Sequence, residues 1–134
     1  MNTEIRIPKS ETSTKHEARS TKRYDLEART LQFARDIRTF VRELPQDTTT
    51  REDIKQLVRS SGSIGANYIE ANESLSKKDF VMRLKISKKE SRETIWWLEL
   101  LSVPSPLISR HGCLLQEATE LMKILGAILR SSER

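Results

Sequence analysis

The sequence predicts an all-α fold, an antiparallel up-down-up-down four-helix bundle, and three observations carry that expectation. The chain has 134 residues but only 4 Gly and 4 Pro, too few turn residues for a sandwich or barrel built from many short strands. Apolar side chains recur at three- and four-residue steps in four separate stretches, the period of an amphipathic helix. Breaks fall between the stretches, at Leu44-Pro45, before Ser76, and at Pro104-Ser105-Pro106, where proline and capping residues end helices. At this length one domain is the default.

Taken in order, residues 1–23 carry six basic residues, three Glu and many Ser and Thr. Such a segment buries too little surface to offset its ordering entropy, so a basic, disordered arm is expected there. The bundle then occupies residues 24–134. Helix one is expected over 25–44, capped by Asp25, with Leu26, Phe33, Ile37, Phe40, Val41 and Leu44 facing inward. Helix two, over 50–74, follows a capping box at Thr50 to Asp53 and carries Ile54, Leu57, Val58, Ser61, Ile64, Gly65 and Tyr68 on its apolar line. Helix three, over 77–101, opens after the cap Ser76 and is marked by Phe80, Leu84, Ser87, Ser91, Ile95, Leu98 and Leu101. Helix four, over 107–130, repeats Leu114, Ala118, Leu121, Leu125 and Ile128 with the heptad spacing of a bundle seam. Gly62 and Gly65 sit inside helix two, where glycine costs about 1 kcal/mol against alanine. Close approach of helices two and three, helped by Ser87 and Ser91, is the expected compensation.

Only 36% of the residues are apolar, against about 45–50% in ordinary globular domains. A lone copy therefore has a thin core, and association with further copies is expected. The 24 Lys and Arg exceed the 19 Asp and Glu, leaving a formal charge of +5, a balance that suits a polyanionic partner. The single cysteine, Cys113, closes no internal disulfide, and no apolar leader or membrane span is read. A soluble cytoplasmic protein without a membrane partner is expected.

The residues argue against catalysis. A dimetal bundle needs carboxylates from four helices and two Glu-x-x-His pairs, and neither His16 nor His111 has that Glu. No Arg precedes either histidine by five to seven residues, the arrangement that holds a phosphate beside a proton carrier in some helical ribonucleases. His111 and Cys113 are two apart and point to different helix faces; His111 is read as a loop or cap residue and Cys113 as a small apolar one. No phosphate loop, zinc cysteine pair or serine nucleophile motif occurs. Glu70 and Glu73, one turn apart, lack a metal or histidine partner and make only a remote case for hydrolysis. No cofactor and no enzymatic activity are expected.

Three surface features remain. Gln56, Ser60, Ser63, Asn67, Glu70 and Ser74 form a polar heptad line down helix two. It is a solvated face, a partner for Arg83, Lys89 or Glu90 of helix three, or an interface between protomers. The window from Lys77 to Arg92 has seven basic and two acidic residues, and Lys78, Lys85, Lys89 and Arg92 share one side of it, with Lys88 adjacent. Arg35, Arg38 and Arg42 make a shorter stripe on helix one. Such stripes suit contact with phosphates of structured RNA or DNA; a solvated face balanced by Glu90 and Glu93 competes with that reading. Trp96 and Trp97 lie about 100° apart on helix three, so one is expected to face the core and the other a neighbouring subunit.

The run Arg59-Ser60-x-x-Ser63-Ile64-x-Ala66-Asn67-x-x-Glu70, with Ser76-Lys77-Lys78-Asp79-Phe80 and Lys89-Glu90 leading to Glu93, resembles the bacterial family of proteins encoded in intervening sequences of 23S rRNA genes. The likeness runs from about Tyr24 to Leu129. It implies a four-helix bundle assembled as a homo-oligomeric ring, with pentamers among relatives, and no catalytic role. The family is also similar to accessory proteins of diversity-generating retroelements, so RNA or DNA and a reverse transcriptase are the implied partners. The matching positions are Arg59, Ser60, Ser63, Asn67, Glu70, Lys78, Asp79, Phe80, Lys89, Glu90 and Glu93. The leading expectation is a non-enzymatic oligomer that associates with nucleic acid, and the alternative is a protein-interaction scaffold with no direct nucleic-acid role.

Overall fold

The computed structural model describes the backbone of residues 15–133 and the side chains of residues 25–133. It contains α1 (Lys15–Arg42), α2 (Thr48–Asn72), α3 (Lys77–Leu100) and α4 (Ile108–Ser132), with a single 3-10 turn at Ser105–Leu107 leading into α4. Among the described residues there is no strand.

Two helix starts differ from expectation. α1 begins at Lys15, ten residues ahead of Asp25, because no Gly or Pro interrupts the run and its residues are mostly tolerant of helix. Asp25 therefore lies inside the helix and caps nothing. The remainder of the expected arm, residues 1–14, lies outside the described residues. α2 is capped by Asp47, whose Oδ1 accepts the Thr50 N–H at 2.8 Å. Thr50 is thus a receiver of the cap, since aspartate accepts with a full charge at the positive end of the helix and outcompetes threonine there. The same bond from the Thr50 backbone holds the Asp47 carboxyl below the usual carboxylate range. Ser76 caps α3 as expected, accepting the Asp79 N–H at 3.1 Å. Pro106 is confined to the 3-10 turn, and His111 stands inside α4.

Each helix packs antiparallel to the next. Between α2 and α3 the pairs run in opposite order, Ser60 with Thr94, Ile64 with Ser87, Asn67 with Arg83. Arg29 reaches Glu117 and Glu120, while Glu43 meets Arg110, so α1 closes the ring against α4. α2 and α3 share the most extensive contact, and the backbones of α1 and α3 stay apart on the bundle diagonal. Phe33, Ile37 and Phe40 of α1 meet Leu57 and Ile64 of α2, Leu84 and Leu98 of α3, and Leu121 and Leu125 of α4 in one buried core. Full burial of each such side chain is worth about 1.5–3 kcal/mol.

The helix-two glycines serve a different neighbour from the one expected. A Cβ on Gly65 would stand 2.7 Å from Thr30 Oγ1 and 3.0 Å from Thr30 Cβ, while Gly62 abuts the Arg38 guanidinium at 3.3 Å. Both face α1. Thr30 is buried and its hydroxyl is tied to the Leu26 and Glu27 carbonyls, so it has little room to yield. Gly65→Ala should therefore lower stability by roughly 1–3 kcal/mol in urea unfolding, despite alanine's better helix propensity. Gly62→Ala meets only a mobile guanidinium end and should be within about 1 kcal/mol of the parent. Equal effects would contradict this assignment of the contact.

Candidate nucleic-acid interface

The seam between α2 and α3 is built from hydroxyls and two arginines. Small side chains at Ser60, Ser87, Ser91 and Thr94, all fully buried, let the helices come close. Ser87 Oγ donates across the seam to the Ile64 carbonyl at 2.6 Å, and Thr94 Oγ1 lies 2.9 Å from Ser60 Oγ and 2.8 Å from the Glu90 carbonyl. At the rim, Arg59 pairs with both Glu90 and Glu93, and Trp97 Nε1 donates to Glu93 at 3.2 Å. Arg83 donates to Asn67 Oδ1 at 3.3 Å. The two carboxylates raise the Arg59 pKa, the hydrogen bond with Glu90 being the largest cause. Glu90 is only 8% exposed, and among the described residues its Oε1 is the buried side-chain oxygen without a hydrogen bond. Arg59 Nη2 stands 3.2 Å away, so charge attraction remains where alignment fails.

Much of the polar line on α2 thus finds partners within the chain. Ser60 and Asn67 reach α3, and Ser63 donates to the Arg59 carbonyl at 2.8 Å. Glu70 is exposed. Of the remaining motif positions, Asp79 starts α3 and is exposed, and Phe80 is half-buried against the core.

The opposite face of α3 is cationic. Lys78, Lys85, Lys89 and Arg92 are all exposed on one side of it. Lys85 is within 3.5 Å of Glu133; Glu90 and Glu93, the carboxylates expected to balance the stripe, are instead drawn to the α2 side by Arg59. Lys88 departs from the stripe. Its stem lies over Gly126 of α4, with Cε at 3.6 Å from where a Cβ would stand and Arg130 Nη1 at 3.4 Å from the same point. Lys88 and Arg130 together carry positive charge from α3 onto α4. Arg130 carries no sequence signal for this role, since only the tertiary contact at Gly126 brings it there.

The basic residues of helix one do not extend this surface. Arg35 and Arg42 are exposed, but Arg38 turns toward α2, bonding the Ala34 carbonyl at 3.1 Å beside Gly62. α1 and α3 lie across the bundle diagonal with their backbones apart, so the two stripes form separate faces of one protomer. The tryptophans divide as their spacing requires. Trp97 is half-buried against the core edge, whereas Trp96 is 59% exposed. Trp96 projects from the cationic side, one turn after Arg92.

His111 Nε2 lies 2.7 Å from the Leu98 carbonyl and its ring packs beside Phe40, inside α4 and not in a loop. Cys113 is exposed, two residues beyond on another face. Among the described residues no group of three His, Cys, Asp or Glu is placed to hold a metal ion, and no helix is long and apolar enough to cross a membrane.

Four helices with no strand among the described residues, a hydroxyl-lined seam and a cationic helix face define an all-α four-helix protein. The 23S rRNA-intervening sequence protein family matches residues 22–127, and the chain belongs to that family. It is similar to a crystal structure of a protein of unknown function from the S23 ribosomal protein family of Bacteroides thetaiotaomicron VPI-5482, at 32% identity and a TM-score of 0.72 over 81% of this chain and 98% of that one. Comparison with curated proteins gave no match.

The seam yields a thermodynamic prediction. Arg59→Met leaves Glu90 without its counter-charge and should cost roughly 1–2 kcal/mol, discounted because the arginine is half-exposed. Arg59→Met with Glu90→Leu should return to within about 1 kcal/mol of the parent. Denaturant unfolding of the four-member cycle checks it; strictly additive losses would show that the pair is not coupled.

Proposed function

We propose that this protein is a non-catalytic assembly of several copies that associates with structured RNA or DNA through the outer face of α3. The observation that carries the reading is the segregation of charge across that helix. Arg59 engages Glu90 and Glu93 on the α2 side, while Lys78, Lys85, Lys89 and Arg92 stand on the solvent side. That weakens the competing idea of a self-neutralised surface. Side chains of this kind grip phosphates without reading sequence. The family description, which refers to intervening sequences of 23S rRNA, supports RNA as the first polymer to test.

The sparse apolar content and the exposed Leu31, Ile69 and Ile108 support self-association. In a ring each copy presents the same stripe, so weak single contacts add as effective concentration. Arg35 and Arg42 then stand as a second, separate contact on α1.

Binding of a structured RNA should fall with salt along a log–log slope of about −3 to −4, the value for roughly four neutralised phosphates. Lys85→Glu, Lys89→Glu and Arg92→Glu together should abolish it while the helical circular dichroism is retained. A flat salt dependence, or a triple variant that binds as the parent does, would reject the α3 face. Light scattering after nuclease treatment should give a mass of several protomers; a monomer would reject the assembly.

A further inference from the structure

We infer that Trp96 is a stacking platform for an unpaired base, so that the nucleic acid held on α3 is single-stranded at this point. The inference rests on the proposed nucleic-acid role of the α3 face and narrows its ligand from polyanion to unpaired segment.

Three observations carry it. Trp96 is 59% exposed, although an indole has more apolar surface to bury than almost any side chain. Its neighbour Trp97 already fills the core edge and has its N–H bound to Glu93, so the core makes no demand on Trp96. Lys85, Lys89, Arg92 and Trp96 follow one another at intervals of four, three and four residues. They therefore share one side of α3 over about 16 Å, with Arg92 and Trp96 side chains roughly 5–6 Å apart at their bases. A row of phosphate-gripping cations ending in an open aromatic face is the composition of a single-strand site, where backbone charge gives attraction and base stacking gives the rest. A duplex keeps its base faces stacked inside and offers nothing to an indole.

A second copy of this chain is the other occupant such a ring can take. A two-fold contact there sets the cationic stripe against itself, because the same patch is used by both subunits, and the heterologous neighbour in a ring has to bring an acidic patch to this face. On α3 Glu90 and Glu93 are held by Arg59 on the far side, and Glu99, exposed one turn past Trp96, is the carboxylate that stands beside the stripe. With Lys78, Lys85, Lys89 and Arg92 against Glu99, the face keeps a net positive charge, which suits a polyanion better than another copy of a chain that is itself positively charged.

The test compares a fluorescent 12-nucleotide oligoadenylate with a 12-base-pair RNA duplex by anisotropy, using the full chain. Trp96→Ala should weaken the strand about 5- to 100-fold, change the duplex less than about twofold, and leave the salt slope as it was. Trp96→Phe, which keeps a ring, should recover most of the loss, and the exposed position leaves folding of both variants unaffected. Equal binding of the strand by parent and Trp96→Ala would overturn the stacking role alone. So would equal loss on strand and duplex, or a fall in assembly mass by light scattering, which would make Trp96 a subunit contact. A parent that binds neither probe at low salt would overturn the nucleic-acid reading itself, and the stacking role with it.

Discussion

The seam between α2 and α3 is the constraint on which the rest of the molecule depends. Serine and threonine line it, and the Ser87 hydroxyl reaches the Ile64 carbonyl at 2.6 Å. That approach is close enough for Arg59 of α2 to reach over the rim and hold Glu90 and Glu93 of α3. Buried polar contacts of this sort add little net stability beyond what apolar packing would give, but they penalise wrong registers, since a slipped helix leaves hydroxyls and carboxylates without partners. The seam thus fixes the rotation of α3. Rotation decides which side chains look outward, and what looks outward is a row of cations and one indole.

The same logic separates the two basic stripes. α1 packs on α2 through Thr30 at Gly65 and on α4 through the paired contacts of Arg29 with Glu117 and Glu120. These contacts place α1 across the diagonal from α3. Arg35 and Arg42 consequently belong to another face, and a ligand touching both stripes has to wrap the bundle or meet two copies of it. The proposed ring of copies would offer that arrangement without any change in the protomer and would turn a modest charge of +5 per chain into a multivalent surface.

Much of this was legible in the sequence, and the failures have physical causes. The four apolar lines and the Ser76 cap depend on local period and local hydrogen bonding, which sequence records directly. The start of α2 was misplaced because Thr50 to Asp53 and Asp47 to Thr50 are both plausible caps, and only the energetics of a charged acceptor separate them. Gly62 and Gly65 were recognised as a close approach but given the wrong neighbour, because spacing shows which residues share a line and not which helix that line meets. For the same reason the 100° between Trp96 and Trp97 foretold one inward and one outward ring without saying which. The fate of Glu90 and Glu93 was hidden as well. They follow Lys89 and Arg92 in sequence and read as local neutralisers, whereas a tertiary partner on α2 takes them. Arg130 and its meeting with Lys88 over Gly126 carried no local signal at all.

On the proposed reading, the seam turns α3 so that its outer face meets the nucleic acid. Photo-crosslinking of the full chain to RNA bearing 4-thiouridine, followed by peptide mapping, tests this most directly. Labels are expected between Lys77 and Leu100, concentrated from Lys85 to Trp96. Labels confined to residues 1–23 or to α1, with α3 spared, would contradict it.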